Sequence, residues 1–153
     1  MYTKEQASSI KQAFWTAFGQ YMALTPGASG ERINWINYKT GLKHLHFKMQ
    51  ADRKSAFIAI EITHPEADIQ ELIFEQFREF EKLLCTTLGE EWNWDLHTYN
   101  DQHKMVSRIY AERENVNIFR QEDWPELISF FRPRLIALDE FWSTAHYGFE
   151  TFK

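Results

Sequence analysis

The chain has 153 residues and a net charge of −5, with 44% hydrophobic, 25% charged and 16% aromatic residues. That aromatic content excludes a disordered chain, because disorder goes with few aromatics and low hydrophobicity. No apolar run reaches the roughly 18 residues a membrane helix needs. The net negative charge gives no case for nucleic acid from the chain as a whole. The single cysteine, Cys85, forms neither an internal disulfide nor a cysteine-based zinc site. Met1-Tyr2-Thr3-Lys4-Glu5-Gln6 shows no apolar stretch of signal type. A cytoplasmic protein without membrane attachment is therefore expected. With 6 Gly, 4 Pro and no low-complexity tract, residues 1–153 read as one domain.

Thr3 to about Leu24 is predicted helical. Thr3 and Gln6 fit a capping box, and Ile10, Phe14, Trp15, Phe18, Tyr21 and Met22 fall at spacings of three and four. Thr25-Pro26-Gly27 stops this helix. The period then drops towards two. Arg32 to Tyr38, with Ile33, Trp35, Ile36 and Tyr38, is predicted to be a strand. Leu42 to Gln50 alternates Lys43, Leu45, Phe47 and Met49 against His44, His46, Lys48 and Gln50. Ala51-Asp52-Arg53 makes a turn. Ser55 to Thr63 follows as a strand with Ile58, Ile60 and Ile62 on one face. Short turns between these strands predict an antiparallel meander.

Thr63-His64-Pro65-Glu66 opens a second predicted helix, which runs to about Leu88 and ends at Gly89. Trp92 to Leu96 and Met105 to Arg113 form a predicted hairpin around the polar loop Asn100–Lys104. Asp123-Trp124-Pro125-Glu126 caps a third helix reaching about His146, with Pro133 inside it and a kink expected near Ser129. The expected fold is therefore α+β. About five mostly antiparallel strands pack with three amphipathic helices in the order α-β-β-β-α-β-β-α. Most aromatics fall on core faces, among them Phe14, Phe18, Phe47, Phe77, Phe80, Trp92, Trp94, Phe131, Phe141 and Trp142. Tyr147, Phe149 and Phe152 are left to cover an edge or a partner subunit.

No Gly-rich phosphate loop, nucleophile elbow or His-Glu-x-x-His motif occurs. Cys85 lies among Leu83, Leu84 and Leu88 and reads as a small buried hydrophobe. The strands carry the remaining chemistry. If Leu45, Phe47 and Met49 face inward, His44, His46 and Lys48 share the other face. The sheet then gathers His44, His46, Glu61, Asp95, His97 and Arg108 on one surface. Imidazoles and carboxylates can hold a divalent metal or move protons, and His44, His46, Glu61 and Asp95 are the candidate metal set. One solvated face of an antiparallel sheet shows the same alternation. A nuclease of the restriction-endonuclease type needs an acid and then an acid-x-Lys triplet. Asp52 and Glu61-Ile62-Thr63 lack the lysine that stabilises developing charge. Binding is the other route. Trp35, Tyr38, His44, His46, Lys48, Arg108 and Tyr110 are candidate binding residues in a region that also holds Arg32, Lys39, Lys43, Arg53 and Lys54. Aromatics beside cations stack bases and hold phosphates. The same aromatics could be core, and the lysines a defence against edge pairing.

Phe14-Trp15-Thr16-Ala17-Phe18, Ile33-Asn34-Trp35-Ile36, Glu90-Glu91-Trp92-Asn93-Trp94, Ser107-Arg108-Ile109-Tyr110 and Asp123-Trp124-Pro125-Glu126 occur in this order. The ordered set resembles a bacterial family known as domain of unknown function 4268, from about Gln12 to Phe149. The resemblance implies an α+β domain of this length, found alone or behind nuclease-like domains in longer chains. It implies no catalytic residues. The fused arrangement points to work alongside nucleic acid or defence systems. The expected function is thus a non-enzymatic interaction module with nucleic acid or a second copy of the chain as partner, and with no cofactor. A metal-dependent hydrolase or nuclease-like enzyme is the alternative.

Overall fold

A computed structural model describes residues 2–153. Helix α1 spans Lys4–Met22, and its capping box forms as read: the Gln6 amide donates to Thr3 Oγ1 and the Thr3 amide to Gln6 Oε1. Strands β1 (Leu45–Ala51) and β2 (Ser55–Ile62) make a hairpin. Helices α2 (Ala67–Glu79) and α3 (Glu81–Leu88) lead to a second hairpin, β3 (Asn93–Tyr99) with β4 (Met105–Glu114). Helix α4 (Trp124–Ala145) continues across Pro133, and a 3₁₀ segment, His146–Phe152, closes the fold. The sheet is antiparallel with order β1-β2-β4-β3.

The α+β class stands, but two elements differ from expectation. Residues 32–38 are not a strand. Asn34 Oδ1 accepts the Asn37 amide at 3.1 Å and bends the chain into a turn. The apolar side chains pack individually instead: Trp35 is buried and donates Nε1–H to the Thr25 carbonyl at 2.9 Å, and the Tyr38 ring stacks on Phe47 at 4.9 Å. A loop that lies on the core produces the same apolar spacing as a strand. The long second helix breaks at Phe80, whose backbone leaves helical geometry at φ −102°, ψ 10°. Phe80 turns in to meet Phe141 and Phe149 at 6.4 and 5.8 Å. It also seats on Gly148, where a Cβ would lie 2.7 Å from its ring.

Helix α3 ends as read, at Gly89 in the left-handed region (φ 73°), with its amide donating to the Cys85 carbonyl. A Cβ there strains the backbone even though the space is open. Gly89→Ala is therefore expected to lower stability by about 1–2 kcal/mol, read as an earlier urea midpoint with an unchanged slope.

Strand register explains where the core sits. Phe47, Ile60, Ile109 and Trp94 face one another across all four strands. Trp142 of α4 meets Phe47 at 6.2 Å, and Phe74 of α2 meets Trp94 edge-on at 5.5 Å. Both helices thus lie on that one face. Helix α1 adds Phe14 and Phe18 against Phe131 of α4 at 6.4 and 6.0 Å. Phe149, left for an edge or a partner, belongs to the core, 4.5 Å from Phe77, while Tyr147 is exposed.

Candidate functional site

The other face of the sheet carries the alternate residues of the same strands, and among the described residues no helix covers it. Its rows follow from the register. One row runs His46, Glu61, Arg108, Asp95 across the four strands. The next runs Lys48, Ala59, Tyr110, Asn93, and a third brings Gln50, Phe57 and Glu112 together. Alternation puts these groups on one surface, and the two hairpins place them side by side.

Charge at the centre of the face is organised by Glu61, which is only 4% exposed. Its Oε2 lies 3.4 Å from Arg108 Nη2 and 3.9 Å from Lys48 Nζ. One buried carboxylate therefore serves two cations. The Arg108 guanidinium also lies 5.3 Å over the Phe57 ring, while its Nε–H is buried without a partner. Between Lys48 and Tyr110, the small Ala59 is fully buried. Burial and the neighbouring Asp95 carboxylate hold the Tyr110 phenol above its ordinary range. A groove of about 610 Å³ runs round the β1 edge, lined by His46, Lys48 and Glu61 of the open face, by Phe47, Met49 and the loop residues Ile36, Asn37 and Tyr38 beside it, and by Asn100, Gln102 and Lys104 of the β3–β4 loop.

Of the candidate binding residues, His46, Lys48, Arg108 and Tyr110 share this face. Trp35 is in the core. Tyr38 is off the sheet face but lines the same groove from the loop before β1; its hydroxyl donates to Asp139 Oδ1 at 2.5 Å, and burial followed by the Asp139 hydrogen bond raises its pKa strongly. His44 precedes β1 and meets His64 edge-on at 4.7 Å. Desolvation first and the His64 charge second lower its pKa.

The metal set does not converge. His46 and Asp95 occupy opposite edge strands, three strand spacings or about 14 Å apart. Metal ligands sit about 2 Å from a shared ion. Among the described residues no group of three His, Cys, Asp or Glu side chains could hold one. Asp52 is equally far from a nuclease role. It sits at the opposite end of β2 from Glu61, where its Oδ1 accepts the Lys54 and Ser55 amides and shapes the β1–β2 turn. His97 leaves the face at a bulge (φ 52°), with Nε2 2.8 Å from the Ala67 carbonyl. Cys85 is a free, half-buried thiol whose pKa is raised by burial.

Two polar residues on apolar helix stripes escaped the sequence reading. Gln70 is fully buried; it donates to the His64 and Met105 carbonyls and accepts from Ser107 Oγ, joining α2 to β4. Asp139 is buried on α4 and accepts the Ala28 amide at 2.8 Å besides Tyr38. Their signal was present: each falls three or four residues from core positions, Gln70 before Ile73 and Asp139 between Leu135 and Trp142.

Fold and face together define an α+β domain that keeps its sheet-packing helices on one side of a four-stranded sheet and leaves the other side without a helix. The chain belongs to the family described as Domain of unknown function (DUF4268), whose model matches residues 10–146. No curated protein and no solved structure matches it. No helix of the described residues is long and apolar enough to cross a membrane.

Proposed function

We propose that this protein is a non-enzymatic interaction module that binds nucleic acid through the open face of its sheet, in the service of a nucleic-acid or defence system. One observation carries the reading. A complete sheet face, central strands included, is left without a helix, and it presents aromatic rings next to cations rather than an even spread of charge. The buried Glu61 carboxylate holds two of those cations, Lys48 and Arg108, in the middle of the face. The face offers no nucleophile paired with a base and no convergent acids, which favours binding over turnover. A single half-buried cysteine supports a reducing, cytoplasmic setting.

The test is a fluorescence-anisotropy titration with labelled single- and double-stranded DNA and RNA at low salt, where phosphate contacts are strongest. Binding that weakens steeply with added salt is the expected result. Absence of binding to every nucleic acid at low salt would sink the reading.

A further inference from the structure

We infer that the ligand of the open face is a single strand, its bases stacked on Phe57 and Tyr110 and its phosphates following Lys48 and Lys104. The inference rests on the nucleic-acid reading above and deepens it.

The rings come first. Phe57 lies opposite Glu112, and Tyr110 opposite Ala59, so the two aromatics are diagonal neighbours on the central strands β2 and β4. Diagonal pairs are about 7–8 Å apart. Ala59 projects nothing between them. Two rings side by side in the middle of the sheet form a surface on which successive unpaired bases can stack, and every base has a face to offer. Bases inside a duplex are already stacked and paired, so these rings cannot reach them. Arg108 extends the surface, since a planar guanidinium also stacks on bases. It lies over Phe57, keeps a buried Nε–H without a partner, and is held by a single carboxylate contact at 3.4 Å. A ligand that displaces the guanidinium from the Phe57 ring would give this buried donor a partner.

Charge then sets the side on which the backbone runs. Towards β3 the face ends in Asp95 and Glu112, which repel phosphate. Towards β1 it ends in His46 and Lys48, and the groove there continues to Lys104 and the amides of Asn100 and Gln102. The backbone of a bound strand is therefore placed over β1 and the β3–β4 loop, with its bases turned inward to the rings. The carboxylate that lines this groove, Glu61, is already paired with Lys48 and Arg108, which limits its repulsion of phosphate despite the overall charge of −5.

The experiment compares a labelled oligothymidylate of about 15 nucleotides with a mixed-sequence duplex, using anisotropy across a salt series. The single strand is expected to bind more tightly than the duplex. Phe57→Ala and Tyr110→Ala should each weaken single-strand binding by about 5- to 150-fold, from the 1–3 kcal/mol of one stacked base. Phe57→Tyr and Tyr110→Phe should retain it, which separates stacking from misfolding. Lys48→Gln and Lys104→Gln should each lower the slope of log affinity against log salt by about 0.7. Duplex binding as tight as single-strand binding and indifferent to both rings would overturn this inference while leaving the nucleic-acid reading intact. Binding to no oligonucleotide overturns both. A dimer in sedimentation that Phe57→Ala dissociates would assign the face to a second copy and overturn the inference as well.

Discussion

Trp142→Ala is expected to destabilise the fold by about 3–5 kcal/mol. Trp142 is 5% exposed and joins four parts of the chain. Its ring meets Phe47 of β1 and Phe77 of α2 at 6.2 Å each, and Phe149 of the closing 3₁₀ segment at 5.1 Å. Its Nε1–H donates to the Thr40 carbonyl at 2.8 Å, fixing the loop that enters β1. Removing the indole thus opens a cavity at the junction of sheet and helices and strands a buried carbonyl. Urea unfolding of the two proteins reads the difference. Trp142→Phe separates the two contributions, because it keeps most of the packing and loses the hydrogen bond. Its cost should be near 1 kcal/mol plus the residual cavity. Tyr147→Ala, at a site 72% exposed, should stay within about 0.5 kcal/mol of the parent. A Trp142→Ala protein as stable as the parent would mean that α4 does not pack on the sheet through this residue.

The same residue shows how far the sequence could be read. Trp142 falls on the apolar stripe of α4, and stripe, strand alternation and end signals all agree there, so the element and its inward face were legible. Local and long-range preferences coincide in such segments. They part company at 32–38. Ile33, Trp35, Ile36 and Tyr38 have the composition of a strand, but Asn34 bends the backbone and no sheet edge pairs with it. Alternation reports burial on one side, and a loop pressed on the core buries side chains just as well. The break at Phe80 was equally hidden, because nothing near it breaks a helix. The cause lies some seventy residues on, where Gly148 leaves room for the Phe80 ring.

The face was legible in part for the same reason. Period two put His46, Glu61, Asp95 and Arg108 on one surface, and the register confirms them as one row. What alternation cannot give is strand order. With β4 inside and β3 at the edge, Arg108 sits beside Glu61 and Asp95 moves to the far side, which separates the acids that a metal would need together. The bulge that takes His97 away was also beyond reach, since it answers to Ser107 and to the carbonyl of Ala67 across the chain.

Glu61→Gln is expected to move stability and ligand affinity in opposite directions. The substitution keeps the shape of the side chain and most of its hydrogen-bonding capacity while removing one negative charge. Lys48 Nζ and Arg108 Nη2 lose their common counter-ion at 3.9 and 3.4 Å. Both cations are largely covered, with side chains 30% and 17% exposed, so water compensates only in part. Stability should fall by about 1–3 kcal/mol, measured in urea, which adds no ions. The same change leaves two uncompensated cations beside the groove. Affinity for an oligonucleotide should then rise about fivefold at low salt, the factor that corresponds to roughly 1 kcal/mol between unit charges near 4 Å in water. The gain should shrink as ionic strength rises, because charges are screened over about 10 Å at 0.1 M salt and about 3 Å at 1 M. A residue with a purely structural role would lower both quantities together. If anisotropy shows affinity unchanged or reduced while circular dichroism shows the protein folded, phosphate does not approach Lys48 and Arg108. The ligand of the face would then have to be sought among uncharged partners.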